Sequence, residues 1–112
     1  LTPDVATVFY ALGDPTRRAL IEAVTDAPLS VSKLAERLSV TLTAVGQHLQ
    51  VLEEAGLVRT EKLGRTRTCQ LARPGLDALE DWIKARKSPL EQALDRLGAA
   101  LDDTDQDGRC QT

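Results

Sequence analysis

The chain has 112 residues, which fits one domain, and its 42% hydrophobic content is enough for a modest core. No apolar run approaches the roughly 20 residues that cross a bilayer. Two cysteines, Cys69 and Cys110, are too few for a disulfide-scaffolded secreted protein. The chain opens on Leu1 with no signal-peptide pattern, which leaves room for a few residues upstream and predicts a cytoplasmic, membrane-free protein. A domain this small often gains stability by oligomerising.

Thr2-Pro3 reads as a helix start, with Thr as N-cap and Pro at the first helical position. Val5, Val8, Phe9 and Leu12 recur at helical spacing until Gly13. Asp14-Pro15 repeats the start signal, and Leu20, Ile21 and Val24 make the apolar face of a second helix ending before Pro28. Ser30 caps a short third helix with Val31, Leu34, Ala35 and Leu38 inward. Ser39-Val40-Thr41 is a turn, and Thr41 caps a fourth helix. That helix buries Val45, Leu49 and Leu52 and stops at Gly56. Two β-prone runs follow, Leu57–Leu63 and Thr66–Leu71, joined by Gly64-Arg65. A two-residue loop beginning with Gly suits a hairpin.

From Pro74 to about Asp102 the pattern is helical again. Leu76, Ile83, Leu90 and Leu97 repeat every seventh residue. Leu79, Ala93 and Ala100 form a second seam interrupted by Arg86, with Leu94 and Leu101 beside it, as in a helix packed along another helix. Ser88-Pro89 predicts a kink or break near Pro89, or a restart capped by Ser88. Residues 102–112 are polar and acidic and predict a disordered tail after a domain spanning 1–101. The fold class is mainly α with a small hairpin, in the order α-α-α-α-β-β-α: a winged helix-turn-helix with a long C-terminal dimerisation helix.

A helix-turn-helix places its second helix in the major groove of DNA. The net charge of −3 opposes a nucleic-acid partner until its distribution is examined. Residues 30–73 hold seven basic side chains against four acidic, whereas residues 74–112 hold five against nine. Positive charge therefore sits on the helix-turn-helix and hairpin, and the acidic remainder discourages indiscriminate phosphate binding. With Val45 facing inward, Thr43, Gln47 and Gln50 lie opposite at about 100° per residue. The N-terminal half of such a helix enters deepest, which favours Thr41, Thr43 and Gln47, with Gln50 nearer a phosphate. His48 flanks the buried stripe; donation to a phosphate and a satisfied half-core role stay open. Gly46 is costly inside a helix. It either permits close approach, to DNA or to the third helix, or is a tolerated weakness. Lys62, Arg65 and Arg67 suit a wing that grips phosphate or the minor groove, against the alternative of a charged edge that resists aggregation.

Four stretches in order, ALGDPTRRALIEAV, SVSKLAERLSV, AVGQHLQVLEEAGLV and GRTRTCQL, resemble the ArsR/SmtB winged-helix repressors over about residues 5–101. The wing and the Trp82-bearing last helix are most similar to the SdpR-like autorepressor branch. The resemblance implies a homodimer built by the first and last long helices, bound to double-stranded DNA at an imperfect palindrome near its own promoter. Gly46 departs from the family, which usually has Ser there.

Many relatives of that kind sense metals. The family's Cys-x-Cys site would fall at Val31 and Lys33, and its Asp/His site near Asp77, Glu80 and Asp81, where no histidine occurs. The expectation is therefore no metal site and no cofactor. Cys69 reads as a packed cysteine and Cys110 as an exposed tail thiol. The alternative function is a thiol-, redox- or metalloid-responsive repressor using either or both. Asp103, Asp105, Asp107 and Gly108 match half a calcium loop, but its twelfth-position Glu and second helix are missing. No catalytic constellation is present: one histidine, no Gly-rich phosphate loop, and carboxylates on a solvated helix face. The expectation is not an enzyme.

Overall fold

The computed structural model describes residues 3–105. Five helices and three short antiparallel strands follow in the order α1 (Val5–Leu12), α2 (Pro15–Val24), β1 (Leu29–Ser30), α3 (Val31–Leu38), α4 (Leu42–Glu54), β2 (Val58–Leu63), β3 (Thr66–Leu71) and α5 (Arg73–Asp105). Local chemistry accounts for most boundaries. Asp14 caps α2 by accepting from the backbone N–H of Thr16 at 2.8 Å and of Arg17 at 3.1 Å, with Pro15 as first helical residue. Ser30 Oγ accepts from Lys33 N at 3.1 Å, and Thr41 Oγ1 accepts from Ala44 N at 3.0 Å. Ser39 ends α3 in the left-handed region (φ 55), which turns the chain into α4.

Four boundaries differ from those the sequence predicts. Helix α1 begins at Val5 and is capped by Asp4, whose carboxylate accepts from Ala6 N at 3.1 Å; Thr2 lies outside the described residues. Strand β2 begins at Val58, and Leu57 is wholly buried just before it. Leu29 and Ser30 form an additional strand, so the wing belongs to a three-stranded sheet in the order β1-β3-β2. Leu29 pairs with Cys69 and Ser30 with Thr68, and Ser30 then serves at once as strand end and helix cap.

The fourth difference is α5, which begins at Arg73 and runs as one helical span through Pro89, without a break, to Asp105. Pro89 lacks the N–H that would reach the Ala85 carbonyl. Good helix formers lie on either side, and the exposed Lys87–Glu91 ion pair (3.9 Å) spans it, contributing only about 0.2–0.5 kcal/mol.

The hairpin is as its turn chemistry predicts. β2 and β3 pair from Val58↔Leu71 to Leu63↔Thr66, leaving Gly64-Arg65 as a two-residue loop. Gly64 has φ 64 and Arg65 does not share it, as in a type II′ turn.

The chain divides into two compact units between Glu80 and Asp81. In the first, Val8, Leu20, Leu34, Val45, Leu49, Leu52, Leu57 and Cys69 are the largest fully buried side chains, drawn from α1, α2, α3, α4, the α4–β2 link and β3. No buried polar side chain lacks a hydrogen bond among the described residues. The end of α4 and the start of α5 meet backbone to backbone. Gly75 N–H donates to the Gly56 carbonyl at 2.7 Å, and a Cβ on Gly75 would run into the Ala55 carbonyl oxygen. Gly56 has φ 68. In the second unit Ile83, Leu90, Leu94, Leu97 and Leu101 are all exposed, and the Arg86 guanidinium lies over the Trp82 ring at 4.2 Å. No described helix is long and apolar enough to cross a membrane.

Candidate nucleic-acid interface

Helix α4 is amphipathic in the strict sense that its two faces have different fates. Val45, Leu49 and Leu52 are buried, while Thr41, Thr43, Gln47 and Gln50 are exposed. The tight turn at Ser39 brings α3 against α4, and the cap at Thr41 fixes where α4 begins. The Thr41 hydroxyl oxygen is engaged as an acceptor, which leaves its O–H free to donate to a phosphate. Gly46 is exposed on α4, and a Cβ built there meets nothing within 4 Å. It therefore permits no close approach of α3; the surface outside it is open.

His48 is half-buried and has a partner the sequence did not disclose. Arg17 Nη1 lies 3.4 Å from His48 Nδ1. A guanidinium only donates, so the contact is a hydrogen bond only in the tautomer whose Nδ1 carries no proton. The same guanidinium caps α1: Nε donates to the Ala11 carbonyl at 2.7 Å and Nη2 to that of Tyr10 at 3.1 Å, with the Tyr10 ring 5.2 Å away. Arg18 Nη1 donates to the Leu12 carbonyl at 2.6 Å. The Asp14 carboxyl is held below its ordinary 3.8 chiefly by the Arg17 backbone N–H, against opposing desolvation, with Thr16 N–H and the His48 and Arg17 charges adding. One arginine thus ties α1, α2 and the recognition helix together. Its link to His48 spans 31 residues and leaves no local signal.

On the wing, Arg65 sits exposed at the hairpin tip, and Lys62 and Arg67 face each other across β2 and β3, both exposed. Arg67 is also tethered. Its Nη2 donates to Thr60 Oγ1 at 3.1 Å, Thr60 in turn donates to Glu53 Oε1 at 2.8 Å, and Arg67 and Glu53 stand 3.7 Å apart. Glu53 belongs to the last turn of α4, so this chain of bonds fastens the wing to the recognition helix. Glu53 and Thr60 were missed because their role depends on a strand-to-helix contact that no periodicity reports.

Arg65, Thr66 and Arg67 share a cleft of about 500 Å³ with Leu42, at the start of α4, and with the start of α3. The structure thus gathers Arg65 and Arg67 beside the N-terminal end of α4, where Thr41 and Thr43 also lie. Gln50 is two turns further along that helix.

Cys69 lies mid-strand in β3, opposite Thr60 and Leu29, and is 0% exposed. Burial chiefly, with help from Glu53 and against Arg67, pushes its thiol up to about 11, so it is a thiol rather than a thiolate at neutral pH. Cys110 lies outside the described residues, as do Asp107 and Gly108. Among the described residues no group of three or more His, Cys, Asp or Glu is placed to hold a metal ion.

A helix-turn-helix domain family matches residues 12–61. The chain is 46% identical over 89 residues to the HTH-type transcriptional regulator Rv2034 of Mycobacterium tuberculosis, covering 75% of this chain and 81% of that protein. It is 26% identical over 58 residues to the transcriptional repressor SdpR of Bacillus subtilis, covering 52% and 64% respectively. The crystal structure of the ArsR family transcriptional regulator RHA00566 superposes with a TM-score of 0.72 at 33% identity, covering 81% of this chain and 97% of that one.

Proposed function

The chain belongs to the ArsR/SmtB family of winged helix-turn-helix transcriptional regulators, and from that premise we propose that it is a homodimeric repressor binding a palindrome near its own promoter. The observation that carries the reading is that Arg65 and Arg67 of the wing share one cleft with Leu42 at the start of α4, next to the exposed Thr41 and Thr43. Thr41, Thr43 and Gln47 enter the major groove, with Gln50 and His48 toward the phosphates. Gln47 is suited to adenine N6 and N7. Lys62 and Arg65 hold the flanking backbone; Arg67 contributes charge there while anchoring the wing. The exposed leucines of α5 support dimerisation, in which each protomer presents one α4 to a half-site. Occupancy of the promoter then blocks polymerase sterically, which places the action in the cytoplasm. SdpR, a repressor by name, supports the sign of the regulation. The buried Cys69 gives the thiol-responsive alternative no accessible group among the described residues.

The test is a titration of purified protein against the DNA upstream of its own coding sequence at several salt concentrations. Specific binding that weakens with salt is expected. Gln47→Ala should lose about 1–3 kcal/mol of discrimination between sequences. Arg65→Gln should weaken all sequences alike and lower the log–log salt slope by about one. Wild-type affinity in both variants would remove this DNA face from consideration. Repeating the titration with oxidant, reductant and thiophilic metals addresses the alternative directly.

A further inference from the structure

Leu42 is the first residue of the recognition helix, and it is 57% exposed. One turn on, Gly46 is exposed with open space where a Cβ would be, and one turn further lies Gln50. Residues four apart share a helix face, so the exposed Leu42 side chain and the bare backbone at Gly46 lie along one edge of the proposed groove-facing surface. The polar side chain of Thr43 borders it, and Leu42 opens into the same cleft as Arg65 and Arg67. Neither residue is explained by the folded chain itself. The leucine leaves most of its surface in water, and the glycine weakens the helix without admitting any neighbour.

Both are explained by a partner that is apolar at this point and anionic around it. Among the base edges of the major groove, the apolar group is the thymine C5-methyl, and it is flanked by phosphates. We propose that Leu42 and Gly46 form an apolar reading spot for thymine methyl groups in the operator. Leu42 supplies the contact surface, and the missing side chain of Gly46 supplies the depth that lets the base edge approach. Arg65 and Arg67 take the neighbouring phosphates. This rests on the DNA-binding reading above and adds to it a sequence preference that Gln47 does not supply.

The experiment uses the full chain and a duplex that the wild-type protein selects from a random pool at physiological salt. Each thymine is then replaced singly by uracil, which removes only the methyl group. Loss of one buried methyl is expected to weaken binding about fourfold at one or two positions of each half-site. Leu42→Ala should bring the thymine-to-uracil ratio at those positions close to one without changing the salt slope. Gly46→Ala should raise the melting temperature and weaken binding more for thymine than for uracil at the same positions. A wild-type protein indifferent to every uracil substitution, or a Leu42→Ala variant that keeps the full ratio, overturns the proposal alone. A wild-type protein that selects no duplex overturns the DNA-binding reading and this proposal with it.

Discussion

Helices α4 and α5 carry the same kind of apolar stripe and meet opposite ends. In α4, Leu49 is 2% exposed, because α1, α2 and α3 close over that face. In α5 beyond Glu80, Leu97 at the equivalent kind of position is 56% exposed. A stripe at helical period states that a face requires a cover; it does not say which chain provides one. The contrast separates the stripe this chain covers by itself from the one it leaves exposed.

Truncation tests that contrast most severely. Leu49→Ala should cost about 2–5 kcal/mol in denaturant unfolding, at any protein concentration. Leu97→Asp should instead abolish the concentration dependence of the unfolding midpoint and halve the sedimenting mass while leaving the fold of the first unit intact. If Leu97→Asp unfolds the whole chain, or leaves the mass unchanged, the two stripes are not distinguished in this way.

A buried thiol gives the next largest effect. The folded Cys69 stays protonated to about 11, whereas an unfolded one ionises near its ordinary 9.0. Between those values the folded state binds more protons, so stability is unaffected below pH 9 and falls as pH rises through the window, by on the order of 2 kcal/mol in all. Comparing denaturant midpoints of wild type and Cys69→Ala from pH 8 to 11 isolates that component; parallel curves would mean the thiol is accessible. Thr41→Ala should lose about 1 kcal/mol by removing the cap of α4, read as a lower melting temperature. The smallest effect belongs to the exposed pair on the wing. Glu53→Gln should change stability by less than about 1 kcal/mol, measured by thermal melting, because water screens its bond to Arg67.

The fold was legible wherever one residue's chemistry decides a boundary. Ser30 and Thr41 cap the helices assigned to them, and Gly64-Arg65 turns the hairpin where a glycine-led pair should. The failures have separate causes. Asp4 outcompeted Thr2-Pro3 because both sites offer a capping signal. Leu29-Ser30 is too short to have a period, so its pairing with Thr68 and Cys69 is a tertiary fact. Of the kink or break left open at Pro89, the helix shows no break, since helical residues continue on both sides. In the site, helical spacing picked out the exposed Thr43, Gln47 and Gln50. Arg17 beside His48 and Glu53 beside Arg67 depend on packing between distant segments. Leu42 passes in a sequence for one more core leucine, and only its exposure marks it out.

The meeting of Gly56 and Gly75 and the fastening of the wing to α4 differ in kind. That joint is peptide against peptide, with no charge, no titratable group and no sulfur. The outer fastening of the wing runs through Arg67 and Glu53, both open to solvent. Added ions screen the second attachment and leave the first untouched. Rising ionic strength therefore weakens the outer fastening of the wing to α4 and leaves the joint between α4 and α5 unchanged.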